Sequence, residues 1–368
     1  MVVELMPRRL QLAADPTPRP SDGISVAVIG CGYWGSKHVR VLSSLPNVTQ
    51  IIVVDPDLRA RTAIAAAYPN VATADELSSV LQVVDAVVIA TPPRDHFAVA
   101  LEALRSGCHV LVEKPLTTRL ADARLLVAEA ARRDLILTVG HTFEFNTAVH
   151  ELRRRVDGGE LGAIRYLHSA RLNLGLFRQD VNVIWDLAPH DISIMNYVLR
   201  STPSSVTAWA ASHVRRGIVD LAYFQLDYGD RNVTGYGHVS WLDPRKVRQL
   251  TVVGSQKMAL YDDLADERLR IFDRGVHEPV EQVAAAQVPL SYRYGDIVSP
   301  HINFQEPLLL EDRHFIDSVA SGRSRESATS GLAVIAVLEA IDRSIATGAR
   351  VWVDLPPEAE PAPALVSA

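Results

Sequence analysis

ISVAVIGCGYWG, residues 24–35, sets an unbroken apolar run against two closely spaced glycines and a third that opens a helical pattern. A short run without polar alternation suits a parallel strand covered on both faces. The glycines, Gly30, Gly32 and Gly35, read as GxGxxG, which alone also fits an ordinary glycine-rich loop. Here the pattern follows a strand, opens a helix and is followed by Asp55, 20 residues after Gly35, at the end of a second apolar run. That is the context of a dinucleotide site. Gly30 permits the tight turn, Gly32 lets backbone approach a pyrophosphate, and Gly35 lets helix pack on strand. The helix N-terminus, with Tyr33 and Trp34 beside it, supplies amide donors to the phosphates. Asp55 is expected to accept from the adenosine ribose hydroxyls and to repel a 2′-phosphate, favouring NAD over NADP. Arg59 and Arg61 stand near enough to offset it, or lie on the surface at helical spacing.

Outward from this stretch, strand and helix alternate. Apolar runs at Ile51–Val54, Ala86–Ala90, Val110–Val112 and Leu135–Val139, with a weaker one near Val71, are separated by helical stretches at Gly35–Leu45, Asp57–Tyr68, Arg94–Arg105 and Leu120–Arg133. This spacing predicts a doubly wound α/β sheet with right-handed crossovers and a ligand crevice beyond the strands' carboxyl ends. At one such end lies LVEKPL, residues 111–116, where an apolar run stops in Glu113-Lys114-Pro115. Either the strand simply ends with a solvated lysine, or it delivers an ammonium group into a site. At another end, Thr91-Pro92-Pro93 stops the ladder and starts a helix. His96, in that helix's first turn, is a surface residue or a cofactor contact.

After His141 the alternation gives way to a helix near Asn146–Asp157. Strand-like segments follow at Ile164–Leu174, Ser205–Ala211, Leu221–Tyr228, Thr234–Ser240, Lys246–Val253 and Lys257–Tyr261. These predict an open, mainly antiparallel sheet. A loop-like stretch near 280–305 leads to helices at Glu306–Ser321 and Gly331–Thr347. The expected organisation is a tail over 1–23, a Rossmann NAD-binding domain over 24–146, a second domain over 147–352 that would bind substrate, and a second tail over 353–368.

The densest signal is Arg178 to Asp191, RQDVNVIWDLAPHD. Asp186 and His190 are four apart. If a helix starts near Asp186, with Pro189 tolerated in its first turn, the two share a face. A carboxylate beside an imidazole raises its proton affinity and fixes its orientation. The plainer alternative is an N-cap aspartate and an unrelated histidine. Upstream, Arg171 and Asn173 alternate with apolar residues and so share one strand face, meeting either water or a polyhydroxylated ligand. Arg178, Arg245 and Lys246 would meet a phosphate or stand as ordinary surface charges.

Composition closes off other classes. The 368 residues carry a formal charge of −6, and the only basic triplet, Arg153-Arg154-Arg155, sits beside Glu151 in a helical pattern. Nucleic acid is not the expected partner. Two cysteines without CxxC spacing suit a reducing compartment and give no cysteine-based metal site. No apolar stretch reaches the ~18 residues of a membrane helix, and the first residues lack a continuous apolar core of a signal peptide. A cytoplasmic protein with no metal and no membrane partner is expected.

Gly30–Gly35, Glu113-Lys114-Pro115 and the Asp186/His190 pair resemble the glucose-fructose oxidoreductase / inositol dehydrogenase / MocA family, from about residue 24 to 350. RLNLG, DVNVIWDLAPHDIS, HVSWLDPRK and TVVGSQKM look like its nucleotide-sugar 3-dehydrogenase branch. The resemblance implies a Rossmann domain followed by an open-sheet domain that self-associates into homodimers or homotetramers. It implies NAD as cofactor and oxidation of the C3 hydroxyl of a nucleotide sugar resembling UDP-N-acetylglucosamine, or the reverse reaction. Lys114 would stand beside nicotinamide and the reacting hydroxyl, while Asp186 and His190 would form the acid/base pair. Cofactor contacts are expected from Gly30, Gly32, Tyr33, Trp34, Gly35, Asp55, Thr91, Pro92, His96, Glu113 and Lys114. Substrate contacts are expected from Lys114, Arg171, Asn173, Arg178, Asn182, Asp186 and His190. Asp191 departs from the pattern by adding a second acid beside His190, and either acid is a candidate for orienting the ring. The alternatives are an inositol or free-sugar dehydrogenase, or an NAD-binding sensor without catalysis.

Overall fold

The computed structural model describes residues 23–175, 177–178, 181–229, 231–277, 291–322 and 328–355. The chain divides into two compact units, one running through Thr142 and taking back Glu306–Ile335, the other formed by Phe143–Gln305 and the chain from Ala336.

In the first unit the expected alternation is present. Its elements are β1 (Ile24–Ile29), α1 (Tyr33–Leu42), β2 (Val48–Val54), α2 (Leu58–Ala67), β3 (Ala72–Ala74), β4 (Ala86–Ile89), α3 (Pro93–Arg105), β5 (His109–Glu113), α4 (Leu120–Arg133) and β6 (Leu137–Gly140). The sheet is parallel throughout, in the order β3-β2-β1-β4-β5-β6. Winding reverses between β1 and β4, which opens the crevice above their carboxyl ends. Strands β1, β4 and β5 are buried almost throughout, as their lack of polar alternation requires.

The second unit contains α5 (Thr147–Asp157), β7 (Ile164–Leu174), α6 (Val183–Leu199), β8 (Ser205–Ala211), β9 (Leu221–Tyr228), β10 (Val233–Ser240), β11 (Leu242–Gly254), β12 (Met258–Asp262), β13 (Leu269–His277) and β14 (Ser291–Val298). Then come α7 (Pro307–Ser321), α8 (Thr329–Thr347) and β15 (Val351–Trp352). Nine strands form one sheet in the order β14-β13-β12-β11-β7-β10-β9-β8-β15. It is antiparallel except for the pairing of β7 with β10. Helices α5 and α6 pack against one face. The other face exposes Tyr166, Trp209, Tyr223 and Tyr236.

Three expectations need correction. First, β13 and β14 were not foreseen, and β14 falls inside the stretch read as loop. Nearly every residue of β14 is exposed, so this edge strand has no apolar face to betray it. Second, α6 starts at Val183 rather than near Asp186, and Pro189 lies inside the helix. Its ring has no amide to return to the carbonyl one turn back. Third, residues 306–335 cluster with the first unit, not with the domain expected over 147–352. Helix α7 packs on α1 and β1, adding Phe315 and Ile316 to the core around Val26, Val28, Val39, Leu42 and Val88. The expected tails fall outside the described residues, apart from Gly23 and 353–355.

Candidate active site

The first unit builds the cofactor crevice. Gly30 has φ +88°, and a Cβ there would stand 2.9 Å from the Ala90 carbonyl oxygen. A Cβ on Gly35 would fall 1.9 Å from the Gly30 carbonyl oxygen, so the strand-to-helix turn excludes any side chain. At Gly32, by contrast, an added Cβ meets nothing within 4 Å. Gly32 is also the N-cap of α1 and brings no side-chain acceptor to the first-turn amides, which suits an anion there. Asp55 closes the loop from the side: its Oδ2 accepts from the Cys31 amide at 2.7 Å and its Oδ1 from the Asp57 amide at 2.8 Å. A carboxylate has further lone pairs for ribose hydroxyls. Tyr33 and Trp34 are exposed at the rim, with Lys37 Nζ 4.7 Å from the Tyr33 ring centroid. Arg61 reaches back to the Asp55 backbone carbonyl, and so is not a free surface charge. These residues fit a dinucleotide.

Further along the crevice, Pro92 is exposed, whereas the Thr91 hydroxyl is buried without a hydrogen-bond partner. His96 is not a surface residue. It is 1% exposed, with Nδ1 2.8 Å from the Pro115 carbonyl and Nε2 2.9 Å from the Thr91 carbonyl. It therefore ties the end of β4 to the end of β5, and burial lowers its pKa. Lys114 is half-buried just past β5, and its bond to Pro115 is cis. Its amide donates to Glu113 Oε2 at 3.1 Å. Glu113 pairs with Gly140 across β5 and β6, so His141 takes the position beside Lys114. Neither ring nitrogen of His141 has a partner, and burial followed by the Lys114 charge pushes its pKa down to about 3.

Behind Glu113 lies a cluster that the sequence did not disclose. His38 of α1 is fully buried, with Nε2 3.2 Å from Glu113 Oε1 and Nδ1 2.8 Å from Asp312 Oδ1 of α7. The available signal was spacing: His38 lies on the same stripe as Leu42 and Leu45, and a polar residue on a buried stripe needs partners.

The second unit carries the other candidates, on β7, on α6 and between them. Asn182 is its N-cap, its side chain accepting from the Ile184 and Trp185 amides at 3.0 and 3.1 Å. The cap is thus Asn182, not Asp186, and the asparagine expected at substrate is engaged in holding the helix. Asp186 and His190 follow one turn apart. Asp186 Oδ2 accepts from Trp241 Nε1 at 3.1 Å, and its Oδ1 lies 3.7 Å from Arg178 Nη1. The second acid has its own partner: Asp191 receives Arg171 through Nε at 2.9 Å and Nη2 at 3.2 Å, both residues buried. Burial raises the Asp191 pKa, and the Arg171 charge opposes that rise. Arg171 is therefore turned to Asp191, and its guanidinium stacks 4.7 Å over the Phe143 ring. Phe143 in turn meets the His190 ring edge-on at 4.9 Å. On the same face of β7, Asn173 Oδ1 is buried without a partner. Trp241 and Phe143, both missed, are aromatic residues whose role depends on folding partners far along the chain.

Two family profiles cover this organisation: "Oxidoreductase family, NAD-binding Rossmann fold" matches residues 24–141, and "GFO/IDH/MocA C-terminal domain" matches residues 149–260. The chain is 34% identical over 249 residues to UDP-N-acetylglucosamine 3-dehydrogenase of Acidithiobacillus ferrooxidans, covering 67% of this chain and 76% of that one. It is 33% identical over 202 residues to inositol 2-dehydrogenase 2 of Saccharopolyspora erythraea, covering 53% and 59%. A solved UDP-N-acetylglucosamine 3-dehydrogenase from A. ferrooxidans has the same fold, with TM-score 0.74 at 23% identity over 88% of this chain and 98% of that one. No helix among the described residues is long and apolar enough to cross a membrane. With the dinucleotide cradle on one unit and the open-sheet domain on the other, the chain belongs to the Gfo/Idh/MocA family of NAD-binding oxidoreductases.

Proposed function

We propose that the protein oxidises the C3 hydroxyl of a nucleotide sugar of the UDP-N-acetylglucosamine kind to the 3-keto sugar, or runs the reverse. The observation that carries this reading is the 34% identity over 249 residues to a UDP-N-acetylglucosamine 3-dehydrogenase, in a chain that has Lys114, Asp186 and His190. When bound, NAD accepts the hydride from the carbinol carbon. His190 removes the hydroxyl proton, with Asp186 orienting the imidazole. Lys114 donates a hydrogen bond to the alcohol oxygen and stabilises its developing negative charge. Asn173 offers its unpartnered oxygen to another sugar hydroxyl, and Arg178 supplies positive charge for a phosphate.

Purified protein is incubated with NAD⁺ and, separately, UDP-sugars, TDP-sugars, inositols and free hexoses, following nicotinamide absorbance. Turnover of a UDP-sugar is the expected result. Turnover of inositol alone would replace this reading with the second one, which rests on the 33% identity to an inositol 2-dehydrogenase. NADH binding with no turnover of any sugar would favour the sensor. We also propose self-association through the open face of the sheet, supported by its exposed Tyr166, Trp209, Tyr223 and Tyr236. Sedimentation of a Trp209→Glu variant as a monomer, against an oligomeric parent, is the expected outcome.

A further inference from the structure

The cluster behind Lys114 joins four pieces of the first unit: α1 through His38, β5 through Glu113, α7 through Glu311 and Asp312, and the short turn after β6 through Thr142. Both nitrogens of His38 face carboxylate oxygens. An ionised carboxylate only accepts, so a ring nitrogen that faces one carries a proton. The carboxylates hold the His38 pKa well above its ordinary value against the opposing effect of burial. Glu311 completes the set, with Oε2 accepting from the Thr142 hydroxyl at 2.9 Å and Oε1 buried without a partner. Burial and the neighbouring Glu113 and Asp312 push the Glu311 pKa well up. Burial raises the Asp312 pKa as well, with the His38 charge opposing that rise, so three acids are grouped around one imidazole.

This arrangement has a direction. Helix α1 begins at the glycine turn and carries His38 in its second turn. His38 grips Glu113 Oε1, while Glu113 Oε2 grips the amide of Lys114. We propose that His38 is a positioning residue: clamped between Asp312 and Glu113, it holds the strand end that bears Lys114 in register with the helix whose first turn cradles the pyrophosphate. Its effect is on where the amine sits relative to a bound cofactor, not on how tightly the cofactor binds. This rests on the reading of Lys114 given above, so the test has one arm that needs no reaction.

The variants are His38→Gln, which keeps one donor, and Asp312→Asn, which keeps an acceptor for His38 while removing its charge. In the first arm, amide hydrogen exchange is followed at residues 113–117, with and without NADH. Exchange at Lys114 is expected to speed up at least tenfold in His38→Gln and about threefold in Asp312→Asn, with peptides of the second unit unchanged. In the second arm, kcat with UDP-N-acetylglucosamine is divided by the number of NADH-binding sites found by fluorescence titration. It is expected to fall ten- to a hundredfold in His38→Gln, with KM and the NADH Kd within threefold of the parent. A purely structural role would lower Tm and the number of binding sites while leaving kcat per site intact.

Unchanged exchange at Lys114 in both variants overturns the proposal, as does unchanged kcat per site. Should His38→Gln fail to bind NADH, Asp312→Asn decides by the same criteria. If the parent does not oxidise the UDP-sugar, the proposed reaction falls while the exchange arm still decides the anchoring.

Discussion

Lys114 in the first unit and His190 in the second are held by the same device built from different chemistry. In each, the residue next in the chain is a buried acid locked by a buried base: Glu113 by His38, and Asp191 by Arg171. The side chain proposed to react is thereby attached to backbone that a buried pair holds. The difference lies in the base. A guanidinium keeps its charge at any working pH, and this one grips Asp191 with two nitrogens, so the anchor of the second unit is permanent. His38 is titratable, so the anchor of the first unit holds only while the ring keeps its proton.

The harshest way to break the comparison is Arg171→Met, which leaves Asp191 buried and unpaired. It should cost about 3–5 kcal/mol of stability in the second unit, read by urea unfolding and by hydrogen exchange in α6. Next is Lys114→Ala, expected to lower kcat by roughly 10²-fold or more, the scale for a positioned charge-stabilising group. NADH titration should show the cofactor still bound, since the cradle lies on α1. A milder change is Asp55→Asn, which removes the charge expected to repel a 2′-phosphate. The ratio of NAD to NADP Kd values should narrow by about tenfold, or ~1.4 kcal/mol.

The smallest effect tests the titratable anchor itself. His38 and Glu311 have folded pKa values raised above their ordinary ones. The folded state then binds more protons than the unfolded state in the window above those ordinary values. Stability therefore falls as pH rises through that window. For His38 the loss begins above about 6.5 and proceeds toward its raised value. Between pH 7 and 9.5, Tm should drop by about 2–4 °C, the shift that ~1 kcal/mol produces in a unit of this size. His38→Gln should lose this slope, whereas Arg171→Met should keep it. His141 acts from the other side: its pKa is depressed to about 3, so its contribution is complete above about 6.5 and is lost as pH falls below that.

What the sequence made legible follows from range. Strands β1, β4 and β5 were readable because burial on both faces leaves them uniformly apolar, and the glycine turn was readable because its steric demands are local. The start of α6 was misjudged because Pro189 looks like a first-turn residue, while the true cap, Asn182, lies seven positions earlier. Strand β14 escaped because an exposed edge leaves no apolar period. The pairings His38–Asp312, Arg171–Asp191 and Asp186–Trp241 join residues far apart in the chain, and no local pattern announces which acid meets which base. Lys114 and His190 could be raised as candidates from their neighbours, but the groups holding those neighbours could not.

The return of residues 306–335 to the first unit bears on how this chain is made. Domains often fold as they leave the ribosome, amino-terminal part first. Here the nucleotide half is still missing Asp312, Phe315 and Ile316 when its last strand emerges, and it waits for the whole intervening sheet to be synthesised. Until then His38 lacks one of its two acids, so the part written first is finished late.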